Sequence, residues 1–152
     1  VLEPLSEHLK DYEQLMVQYY GAGVQACYRG PRLYDTEETK QTVKKTIDWY
    51  KKYRQILNSD LIHIRRPDGR DWDGIMHVNP NLKEKGFVML YNPLKKAIAR
   101  KINLPLYYTG LSDKVLVREK EGKSKSYTLN RNYEIEVDVS IPAEGFTWLV
   151  LE

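Results

Sequence analysis

The chain has 152 residues, of which 41% are hydrophobic and 30% charged, enough for one packed core of ordinary globular type. Its 24 basic and 21 acidic residues leave a net charge of +3, too small and too dispersed to predict a nucleic-acid partner. A single cysteine, Cys27, excludes an intrachain disulfide and a cysteine-based zinc cluster, and no apolar run is long enough for a helical membrane span.

The opening VLEPLSEHLKDYEQ lacks a charged-then-apolar leader pattern and starts at Val1, so a piece of a longer chain is expected. Leu5, Leu9, Tyr12, Met16 and Tyr19 recur at helical spacing, with Pro4 near the first turn and Gly21 at the exit. Residues 24–28 (VQACY) then read as a short buried strand, in which Cys27 acts as a small hydrophobe. A turn-like loop, Arg29-Gly30-Pro31-Arg32, follows it. Asp35 or Thr36 caps a second helix running to about Leu57, and Asp35 with Glu38 has capping-box spacing. Val43, Ile47, Tyr50 and Leu57 form its apolar stripe, while Lys44, Lys45, Lys51 and Lys52 occupy a solvated face. A lone strand between two amphipathic helices needs a parallel neighbour, and residues 1–57 offer none. They therefore read as the end of a larger α/β unit.

After Asn58 the pattern changes to short extended runs broken by Asn, Pro and Gly. Strands are predicted at 61–64, 74–78, 86–91, 97–102, 106–108, 114–119, 125–129, 133–139 and 146–151. The alternation of Tyr133, Ile135, Val137 and Val139 with Glu134, Glu136 and Asp138 marks one buried and one wet face. The expected fold class is α+β: N-terminal helices over 1–57, the end of a β/α barrel, followed by an antiparallel β-sandwich over 58–152.

The polar stretch with most chemical potential is residues 65–73, RRPDGRDWD. Trp72 beside Asp71 is a pairing suited to a sugar, with stacking on its C–H face and hydrogen bonds to its hydroxyls. Asp68 and Asp71 form an acid/base pair in principle. The same residues also suit a plain turn tied by Asp–Arg pairs, with Pro-Asp-Gly as its signature. His63 and His77 lack a third ligand, so neither a metal nor a cofactor is expected. Tyr is over-used, with 12 copies against 3 Trp and 2 Phe, which fits either half-wet contact surfaces or strand-forming aromatics. Nucleophile-elbow, Walker and dinucleotide patterns do not occur.

The succession VQACYRG, ETKQTVKKTIDWYKKYRQIL, LIHIRRPDGRDWDGIMHVNP, GFVMLYNPLKKAIARKINLPLYYTGL and GFTWLVLE resembles the C-terminal end of an α-galactosidase-like (β/α)8-barrel glycoside hydrolase. The resemblance implies a last barrel β/α unit plus a sandwich domain, with the catalytic carboxylates on earlier strands outside this chain. None of these residues is therefore expected to be catalytic. It places Tyr28, Arg29 and Arg32 on the loop that lines the substrate cleft, and adds a carbohydrate substrate and a preceding barrel as partners. It further implies a secreted or periplasmic location. A non-catalytic carbohydrate-binding or structural interaction module is the alternative.

Overall fold

The computed structural model describes residues 1–27 and 30–152. These fall into two compact units, Val1–Asn58 and Ser59–Glu152.

The first unit is a helical pair. A single 3-10 turn, Leu5–His8, leads into α1, Leu9–Gly21, and α2 spans Glu37–Leu57. Leu5, Tyr12 and Met16 bury their side chains with Val43 of α2, and Tyr20 and Ile47 pack onto that cluster. The lysine face is exposed as expected. Thr36, not Asp35, is the α2 cap: its hydroxyl accepts the Thr39 N–H at 3.2 Å. Asp35 is drawn away by a distant partner. Its Oδ2 accepts both the backbone N–H and the hydroxyl of Ser6 at 3.0 Å, and its Oδ1 accepts the Thr39 hydroxyl at 2.8 Å. The Tyr12 hydroxyl donates to the Leu33 carbonyl at 2.7 Å, pinning the same linker to α1.

The strand expected at 24–28 is a correction. Residues 24–27 have no regular structure, Cys27 is exposed instead of buried, and Tyr28 lies outside the described residues. An extended run with no neighbour in its unit cannot form a ladder.

The second unit is the antiparallel sandwich. Its strands are β1 Asp60–Arg65, β2 Asp73–Val78, β3 Gly86–Asn92, β4 Ile98–Pro105, β5 Lys114–Glu119, β6 Ser124–Thr128, β7 Glu134–Ile141 and β8 Gly145–Leu151. Six pair in the order β1-β2-β3-β8-β5-β6, and β4 pairs with β7 alone. The core is filled by Met76, Val88, Leu90, Val117, Leu149 and Leu151 from the larger sheet and Ile98, Ile102, Leu104, Val137, Val139 and Ile141 from the smaller. β3 and β8 are apolar on both faces, since Phe87 and Met89 alternate with Val88 and Leu90 while Trp148 and Val150 alternate with Leu149 and Leu151. Register sets Met89 beside Trp148, and the Phe87 and Trp148 rings stack at 5.3 Å.

The extended segment expected at 106–108 is instead a 3-10 turn, Tyr107–Thr109. The Leu106 carbonyl accepts the Thr109 N–H at 3.0 Å and its hydroxyl at 2.6 Å, curling the chain, and Gly110 leaves the turn at φ 78°. Among the described residues no helix is long and apolar enough to cross a membrane.

At the exit of β3 one buried side chain ties the two sheets. Asn92, 2% exposed, donates from Nδ2 to the carbonyls of Lys96 at 2.8 Å, Pro142 at 2.9 Å and Ile141 at 3.2 Å, while its Oδ1 accepts the Leu94 N–H at 2.9 Å.

Asn92→Ala leaves these carbonyls short of a donor, so a loss of about 1–3 kcal/mol is expected in denaturant melts. Asn92→Asp fares no better, because its oxygens would face acceptors. In the helical pair, the Ser6 backbone N–H, helped by the Thr39 and Ser6 hydroxyls, holds the Asp35 carboxyl down to about 2. A depressed carboxylate stabilises the fold above its unfolded pKa of roughly 4 and loses that effect as pH falls toward 2. Asp35→Asn should therefore lower the melting temperature at neutral pH and flatten its decline between about pH 4 and 2, read by circular dichroism.

Candidate functional site

The loop joining β1 to β2 is built by two successive arginine–aspartate ties. Arg65, the last residue of β1, reaches Asp68 with both ends of its guanidinium, at 3.3 Å to Oδ1 and 3.0 Å to Oδ2. It also donates to the Trp72 carbonyl. Asp68 accepts the Arg70 N–H at 2.9 Å, closing a local turn, and Gly69 takes a φ of +70° that a side chain would resist. Asp71 accepts the Trp72 N–H at 2.8 Å. Its carboxylate then meets Arg100 of β4, with Nε at 3.2 Å and Nη2 at 3.1 Å from Oδ1. The loop thus joins the larger sheet to the smaller through a charge pair.

Trp72 is half-buried and packs against the sandwich core. The Arg65 guanidinium lies 5.8 Å from its ring centre. Gly74 makes room for this packing, since a Cβ there would stand 3.3 Å from the Trp72 ring and 2.8 Å from a Leu90 methyl. Much of the Trp72 ring is therefore engaged by protein.

The electrostatics separate the three aspartates. The Arg70 N–H and then Arg65 hold the Asp68 carboxyl below its ordinary range. The Trp72 N–H and then Arg100 do the same for Asp71. Burial moves Asp73 the other way, upward, against the pull of Arg65. A general acid needs a raised pKa, so Asp68 and Asp71 are suited to holding position and accepting hydrogen bonds, not to delivering protons. Beyond Arg100, an open groove of about 360 Å³ runs past Lys101, Asp138, Ser140 and Glu119. Lys101 is held there by Asp138 at 3.2 Å and Glu136 at 3.6 Å.

Of the residues singled out from sequence, Asp71 and Trp72 come together with Arg65, Asp68 and Arg100. Arg32 lies in the other unit, exposed, with Nε 3.5 Å from Glu3, and Tyr28 and Arg29 lie outside the described residues. His77 is buried with Nδ1 3.3 Å from the Ser59 carbonyl and is registered against Leu61, whereas the exposed His63 is registered against Ile75. Among the described residues, no group of three or more His, Cys, Asp or Glu side chains is arranged to hold a metal. Arg100 was missed. Its signal was parity: it shares a strand face with Ile98 and Ile102, an inward position where a charge needs a partner.

No family model and no curated protein matches the chain. Its fold, however, matches parts of solved glycoside hydrolases. A GH27 β-L-arabinopyranosidase from Geobacillus stearothermophilus aligns over 94% of this chain and 30% of its own, at 11% identity and a TM-score of 0.61. An α-galactosidase from Mortierella vinacea aligns over 92% and 35%, at 17% identity and a TM-score of 0.58. An α-amylase from Geobacillus thermoleovorans aligns over 95% and 33%, at 11% identity and a TM-score of 0.58. The chain spans about a third of the length of these proteins. At such identities the likeness is one of fold, and it covers the helical pair and the sandwich alike. The α+β arrangement expected from the resemblance, helices followed by an antiparallel sandwich, is thus the one found, without the strand expected at 24–28.

Replacing Arg100 tests the loop's electrostatics. Arg100→Met should move the Asp71 carboxyl up toward its ordinary range, seen by carbon-detected NMR titration. Because the pair is partly exposed, the stability loss should stay within about 1 kcal/mol. Arg65→Met removes bonds to both Asp68 and the Trp72 carbonyl, and should loosen the Trp72 ring, seen as a fluorescence shift.

Proposed function

We propose that this chain is the C-terminal portion of a carbohydrate-degrading glycoside hydrolase. Its sandwich supports a catalytic (β/α)8 barrel encoded ahead of it, and the chain by itself is inactive. The observation that carries this reading is the extent of the fold match. Nearly the whole chain, helices and sandwich together, corresponds to about a third of several glycoside hydrolases. A sandwich that merely recurs in many proteins would not bring the preceding helices with it.

Two features of the molecule support the same reading. The carboxylates of the polar loop are paired with arginines and depressed, which is poor preparation for acid catalysis. The central strands β3 and β8 are apolar on both faces, which suits a sheet built to be covered on each side by its own polypeptide. Tyr28, Arg29 and Arg32 belong to this reading as substrate-rim residues, with Asp71 and Trp72 as further sugar contacts. A secreted or periplasmic location goes with it.

The test is turnover. The chain Val1–Glu152 is expected to release no nitrophenol from a panel of nitrophenyl glycosides, whereas the polypeptide read through from the upstream coding region should do so. Turnover by the chain alone, abolished by Asp71→Asn or Asp73→Asn, would overturn the assignment.

A further inference from the structure

Among the described residues, Tyr107, Tyr108 and Tyr133 are three of the four exposed tyrosines, and they sit together. Tyr107 and Tyr108 are 64% and 62% exposed, and Tyr133 is 39% exposed. The Tyr107 ring centre lies 5.3 Å from Tyr108 and 5.5 Å from Tyr133, with interplanar angles of 87° and 74°. Tyr107 and Tyr108 belong to the 3-10 turn that follows β4, and Tyr133 immediately precedes β7. The β4–β7 ladder sets Pro105 opposite Glu134, and the Leu106 N–H donates to the Tyr133 carbonyl at 2.8 Å, so the cluster is fixed to the end of the smaller sheet.

Folding alone does not call for a tyrosine at 133. Its φ is +60°, a left-handed conformation that favours glycine or asparagine. The turn holds it there: Tyr133 N–H donates to the Asn130 carbonyl at 3.0 Å, and the Asn130 side chain accepts the N–H of Asn132 at 2.9 Å and of Glu134 at 3.0 Å. A bulky ring at a strained position, buttressing a ring that is mostly in solvent, is a feature with a cost to the fold.

We infer that Tyr107, Tyr108 and Tyr133 form a glycan-binding platform on the sandwich, away from the Arg65–Asp71 ties, that takes the pyranose rings of a polysaccharide. This rests on the carbohydrate-active reading above. Rings set near right angles offer a pyranose a stacking face with an aromatic wall beside it, and phenol hydroxyls at the margin. The exposed Arg131 and Asn132 of the adjoining turn add hydrogen-bond donors for sugar hydroxyls. The polar, charged surroundings favour a wet sugar ligand over a dehydrated protein interface.

Affinity electrophoresis of the chain through native gels cast with galactomannan, arabinogalactan or soluble starch tests this. At least one polysaccharide should retard the wild-type chain. Tyr107→Ala and Tyr133→Gly should each weaken retention by up to about tenfold, the scale of one aromatic contact. Tyr133→Gly relieves the left-handed strain, so its melting temperature should not fall, and lost retention in that variant cannot be put down to misfolding. Leu116→Ala, at an exposed apolar residue of β5 outside the cluster, should leave retention unchanged. Absence of retardation by all three polysaccharides would overturn the platform and leave the hydrolase assignment, read by turnover, untouched. Retardation kept by both tyrosine variants, or lost in Leu116→Ala, would overturn it as well.

Discussion

The sandwich depends on a buried amide. A domain made of two sheets must turn its chain from one to the other several times, and each crossing strands backbone carbonyls where water is scarce. At the β3 exit this is met by Asn92, whose single amide group serves carbonyls at the approach to β4 and at the end of β7 while its oxygen holds the intervening turn. No apolar residue could satisfy those groups. The apolar core supplies the larger free energy. The amide and the Arg100–Asp71 pair add directional links between the sheets.

Much of this organisation was legible in the sequence, and the misses have physical reasons. Strands such as 134–141 announce themselves by alternation, because one face must be apolar and the other wet. Residues 106–108 looked extended by composition, yet two hydrogen bonds from Thr109 to one carbonyl outweighed that preference. Residues 24–28 are apolar enough for a strand, but strand propensity cannot supply a partner. At the α2 cap two short polar side chains competed, and only a contact 29 residues away decided which was free to cap.

The polar loop divides along the same line. Arg65 with Asp68 is three residues apart, and local spacing makes that pair visible in advance. Arg100 with Asp71 is a tertiary pair, readable only through the odd placement of a charge on an inward face of β4. The tyrosine cluster is intermediate. The surplus of tyrosine is plain from composition, but the meeting of Tyr107 with Tyr133 depends on the β4–β7 register. Chemistry that depends on long-range pairing is the part that local pattern reading cannot reach.

The larger sheet ends at β6 on one side and β1 on the other, and both ends bear on self-association. β6 is short, almost wholly exposed and reads Ser-Lys-Ser-Tyr-Thr, with Lys123 just ahead of it. A charged, abbreviated strand is a poor template for a seventh. β1 breaks its own register between His63 and Arg65, so its outer edge bends instead of presenting an even row of amides. Both edges therefore discourage β6 of one molecule, or β1 of another, from continuing the sheet. The two outer edges of the larger sheet are thus poor templates for a further strand.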